Sequence, residues 1–82
     1  MAYKITFVDS RISDDFLNDM VLNLGKVPPR FKYKFKMLDS DRKVYFKGLA
    51  TSTDSFAPLD DLGELYGCTD IKYFEGGRWV SL

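Results

Sequence analysis

Polar and apolar residues alternate most cleanly in RFKYKFKML, residues 30–38. Phe31, Tyr33, Phe35 and Met37 fall on one side, and Arg30, Lys32, Lys34 and Lys36 on the other. A period of two marks a half-buried strand. Asp39-Ser40-Asp41-Arg42 follows with turn chemistry, because an Asp carboxylate bonds backbone N–H groups just ahead of it. KVYFKGLA, residues 43–50, reads as the returning strand of a hairpin, with Gly48 as a candidate bulge. AYKITFV, residues 2–8, sets Tyr3, Ile5 and Phe7 against Lys4 and Thr6 and predicts another half-buried strand. DIKYFE, residues 70–75, predicts a fourth. Gly76-Gly77 is a two-residue hairpin turn, and RWVSL, residues 78–82, closes the chain as a fifth strand.

Between the first two strands the period changes. Phe16, Leu17, Met20, Val21 and Leu24 share one stripe at helical spacing. Ser13 is placed as N-cap, with Asp14 and Asp15 in the first turn and Ile12 and Leu17 at the staple positions. Gly25 is the expected left-handed end, and Pro28-Pro29 prevent the helix from resuming. A helix over 14–24 follows. Residues 51–69 are less regular. Thr51 to Ser55 reads as loop, whereas Phe56, Ala57, Leu59, Leu62, Leu65 and Tyr66 are too apolar for a free loop and predict one or two short helical turns on the edge of the core. The expected order is strand, helix, strand, strand, irregular segment, strand, strand. That is an α+β fold: one domain over residues 1–82, a mainly antiparallel sheet of four to five strands with one helix on one face.

Composition narrows the chemistry. At 82 residues, 45% hydrophobic and 16% aromatic, the chain is rich enough for a core, which rules out intrinsic disorder. No charge-free run is long enough to span a bilayer, and no signal-peptide pattern is present, so no membrane contact is expected. There is no His and one Cys. That excludes His-based acid–base catalysis, most metal sites and an internal disulfide, and it fits a reducing, cytoplasmic compartment. No Gly-rich phosphate loop appears, and no cofactor is expected.

Charge is balanced overall but not locally. Twelve basic and twelve acidic residues cancel. Residues 1–25 carry a net −2, residues 26–47 a net +6 and residues 48–82 a net −4. Arg30, Lys32, Lys34 and Lys36 project from one strand face, and Lys43 and Lys47 extend the patch across the hairpin with Tyr45 between them. These seven residues form the candidate binding surface. A basic sheet face with an aromatic suits an acidic protein or a single-stranded nucleic acid. The plainer reading is a solvated face whose lysines blunt aggregation. The near-neutral balance, with pI ≈ 6.1, counts against nucleic acid, whose dedicated binders tend to be basic overall.

Other candidates read as structural. Asp60, Asp61 and Glu64, with Asp54 nearby, lack the alternation and glycine of a calcium loop and suit helix capping after Pro58 better than a cation. They also provide an acidic region able to pair with the basic strand of a second copy, so a homo-oligomer is an open arrangement. Cys68, in GCTD, has no His to activate it and reads as a buried packing residue. Among the aromatics, Tyr45, Tyr66, Tyr73 and Trp79 are the ones whose exposure would mark an interface.

The C-terminal half, YKFKMLDSDRKVYFKG followed by SFAPLDDLGELYGCTDIKYFEGGRWVSL, resembles a set of small bacterial proteins from plasmids, phages and other mobile elements. Their pattern is F-A-P-L-D-D-x-G, then G-C-T-x-I-x-Y, then G-x-W. The resemblance covers residues 30–82 and implies a bacterial cytosolic setting; it brings no activity, cofactor or catalytic residue. The expected function is non-enzymatic: a small interaction protein acting by protein–protein contact, such as a mobile-element inhibitor or accessory factor. The alternatives are a single-stranded nucleic-acid module using the basic 30–47 hairpin face, and an enzyme with an unusual carboxylate or Lys site.

Overall fold

The computed structural model describes residues 2–12, 20–22 and 24–82. Five strands, β1 (Tyr3–Val8), β2 (Tyr33–Leu38), β3 (Val44–Ala50), β4 (Asp70–Glu75) and β5 (Arg78–Ser81), form one sheet in the order β1-β3-β2-β4-β5. Every neighbouring pair is antiparallel. The α-helix α1 (Ala57–Tyr66) connects β3 to β4 and packs on one face. This is the expected α+β architecture. Most of the helix expected over 14–24 lies outside the described residues. Gly25, expected as its left-handed end, is the middle residue of a 3-10 turn, Leu24–Lys26.

The turns follow from local chemistry. Asp39 Oδ1 accepts the N–H groups of Asp41 at 2.9 Å and Lys43 at 2.8 Å, closing the β2–β3 connection. Those bonds, led by the one from Lys43, hold the Asp39 carboxyl below its ordinary range. Arg42 takes the left-handed conformation in this turn, at φ 65°. Gly76 and Gly77 sit at φ 61° and 82°, the two consecutive positive values of a type I′ hairpin.

The irregular segment resolves into a full helix of ten residues rather than short turns. Ser55 Oγ accepts the Ala57 N–H at 3.1 Å, and a proline in the first turn fills a position whose own N–H has no helical partner. Gly67 ends the helix at φ 79°, and Cys68 N–H returns to the Gly63 carbonyl at 2.8 Å. A side chain at Gly63 would stand 2.9 Å from the Cys68 carbonyl oxygen, so glycine lets the chain double back this closely.

The core lies between the sheet and α1. Phe35, Met37, Phe46, Ala50, Ile71 and Tyr73 come from the three central strands, Ile5 from β1, and Leu62 and Cys68 from α1 and the segment after it. The expected inward set in β2 is observed, with Phe35 and Met37 fully buried and Tyr33 half-buried. The expected pattern in β1 is only half right. Ile5 pairs with Gly48 and Phe7 with Lys47, so Thr6 is an extra bulge residue. The bulge turns Phe7 outward, at 41% exposure, and returns Val8 to the core side. The bulge therefore falls in the strand facing Gly48.

Gly48 itself answers a packing demand. A Cβ there would lie 2.2 Å from the Lys4 carbonyl oxygen and 2.6 Å from the Phe35 ring. Its absence lets that ring lie across β3. Tyr3 then meets Phe35 edge-on at 5.9 Å, and its hydroxyl donates to Asp61 Oδ2 of α1 at 2.7 Å.

A candidate docking face on the open side of the sheet

The sheet face turned away from α1 is built by register. One row crosses all five strands: Phe7 pairs with Lys47, Lys47 with Lys36, Lys36 with Lys72, and Lys72 with Ser81. Three lysines thus stand side by side on the three central strands, about 5 Å apart. Like charges opposed across a ladder destabilise it. The neighbouring row holds Lys4 and Leu49, which pair with one another, Lys34, which also pairs with Leu49, and Phe74 paired with Trp79. Among the described residues the only ion pair is Arg11–Asp9, which leaves the lysine row unneutralised.

Aromatic rings border these lysines. Lys36 Nζ lies 4.3 Å from the Trp79 ring centre, Lys47 5.2 Å from that of Phe7, and Lys34 5.9 Å from that of Phe74. Phe74 and Trp79 meet edge-on at 5.3 Å, and they remain 39% and 37% exposed. Such contacts hold the ammonium groups over the rings and partly offset their mutual repulsion.

The structure sorts the seven predicted surface residues. Lys34, Lys36 and Lys47 share the open face. Arg30 and Lys32 precede β2, which begins at Tyr33, and lie over the rings of Phe31 and Tyr33 respectively. Lys43 belongs to the turn, where its N–H is taken by Asp39. Tyr45 does not stand between two exposed lysines. It is the extra residue of a second irregularity, where Met37 pairs with Phe46 and Leu38 with Val44, and it packs against the core. Arg11 covers its ring at 5.0 Å, and a bond to Asp39 raises its hydroxyl pKa. Of the other watched rings, Tyr73 is buried with its hydroxyl on the Ser55 carbonyl at 2.7 Å, Tyr66 meets Phe46 edge-on, and Trp79 is exposed.

Sequence reading missed Lys4, Phe7, Lys72 and Phe74 as members of this face. The alternation in β4 carried a signal for Lys72, but its use required knowing that β4 pairs with β2. Phe7 required the bulge.

Reactive groups are scarce elsewhere. Burial pushes the Cys68 thiol up to about 11, with the Asp39 charge adding to the effect, so it stays protonated at neutral pH. Among the described residues no group of three or more His, Cys, Asp or Glu is placed to hold a metal ion. Among the same residues no helix is long and apolar enough to cross a membrane. No family model, curated protein or solved structure matches the chain.

Proposed function

We propose that this chain is a non-enzymatic interaction protein that docks an acidic surface of another protein on the open face of its sheet. The observation that carries this reading is the Lys47–Lys36–Lys72 row, three ammonium groups held side by side with no carboxylate partner among the described residues. An acidic partner removes that repulsion on binding, so electrostatics favour the complex and speed its formation. The lysine contacts on Trp79, Phe7 and Phe74 favour protein over nucleic acid, because a lysine already occupies ring surface on which a base would stack. The balanced net charge points the same way. A bacterial cytosolic setting and a role as a mobile-element inhibitor or accessory factor accord with the motif resemblance of residues 30–82 and belong to the same proposal.

The test is capture of host proteins by the immobilised chain and by a Lys36→Ser/Lys47→Ser/Lys72→Ser variant, followed by cross-linking of the captured protein. The expected result is a partner cross-linked through acidic residues, lost with the variant and weakened by salt, while the variant's melting temperature does not fall. Equal capture by the variant, or capture of nucleic acid alone, overturns the reading.

A further inference from the structure

Beside the lysine row the open face contains a hollow of about 190 Å³. Its walls are Leu49, Trp79 and the stems of Lys34 and Lys47, and Gly48 and Phe35 also line it. The hydroxyl on the wall, Thr6 Oγ1, is directed to the Lys47 carbonyl at 3.4 Å. The cleft is therefore apolar inside and cationic at its rim. Its volume exceeds the roughly 150 Å³ of an apolar cavity known to take benzene.

We propose that this hollow is the anchor pocket of the docking face: it takes one apolar side chain, an aromatic ring, from an acidic segment of the partner whose flanking carboxylates meet Lys34 and Lys47. The inference rests on the reading above and names the partner's chemistry. A phenyl ring needs no hydrogen bond, which suits a wall whose hydroxyl is already engaged. A nucleobase placed there would lose water from its polar edge without replacement, a cost of a few kcal/mol per group. The lysines on the rim have no carboxylate partner among the described residues, so flanking acids complement them directly.

Trp79 is the only Trp of the chain and lies on the hollow, so its fluorescence reports occupancy. The experiment titrates the intact chain, at low ionic strength, with a short acidic peptide carrying a central Phe, with its Ala counterpart, and with oligo-dT. The expected result is a Trp79 emission change with the Phe peptide and binding at least about tenfold tighter than with the Ala peptide. Leu49→Phe, which fills the hollow but keeps every lysine, abolishes that preference, whereas Lys34→Ser/Lys47→Ser weakens both peptides. Equal binding of the two peptides, still dependent on the lysines, overturns the anchor pocket and leaves the docking face standing. Tighter binding of oligo-dT overturns both, as does no binding of either peptide. Concentration-dependent self-association abolished by Leu49→Phe assigns the hollow to a second copy and overturns the proposal.

Discussion

The two faces of this sheet obey different rules. On the α1 side, Phe35, Phe46, Met37, Ile71 and Tyr73 interlock, and the polar atom of Tyr73 finds a backbone partner. On the open side, three lysines are set against one another and three aromatic rings stay partly in water. The first arrangement is what stability selects. The second works against stability, which is the usual signature of a surface kept for contact with something else. Perturbing the two faces should therefore move stability in opposite directions.

The largest effect belongs to the packed side. Gly48→Ala places a methyl group against the Lys4 carbonyl and the Phe35 ring, and it should destabilise the chain by about 3 kcal/mol in urea unfolding. An unchanged midpoint would mean that the Phe35 ring does not cross β3.

A smaller loss is expected in alkali. Burial makes the native state hold the Cys68 proton up to about 11, whereas an unfolded thiol releases it near 9. Tyr73 is also pushed up, to about 12, mainly by burial. For groups raised in this direction stability is complete below the unfolded pKa and falls as pH rises toward the folded one. Urea midpoints should thus hold up to about pH 8 and decline from pH 9 to 11. A flat profile would show that Cys68 is solvated.

The strap between β1 and α1 is weaker still. Tyr3→Phe removes the bond to Asp61 at an exposed site, and no more than about 1 kcal/mol should be lost. A larger loss would show that the bond holds α1 in place.

The same contrast explains what could be read in advance. Alternation in β2 and the glycine pair at 76–77 are local signals, and both turned out as expected. The full length of α1 carries no comparable local mark; Gly63 sits inside the helix, where a side chain would stand 2.9 Å from the Cys68 carbonyl oxygen. Phe7 was assigned to the core because a bulge reverses strand parity and leaves no mark in a period of two. Of the candidate docking face, the β2–β3 hairpin lysines were legible because the two strands adjoin in sequence. Lys72 and the Phe74–Trp79 pair were not, since they depend on β4 lying beside β2, a long-range pairing.

The open face makes the most direct demand. Lys36→Glu converts two repulsive cross-strand pairs, with Lys47 and Lys72, into attractive ones, and it gives up one contact with Trp79. The measurement is the urea midpoint of this variant against the unsubstituted chain at low salt. A face kept for binding at the expense of stability predicts a higher midpoint, by about 0.5 kcal/mol. A lower midpoint would contradict it, showing that Lys36 serves the fold and that the lysine row has no unmet charge to offer a partner.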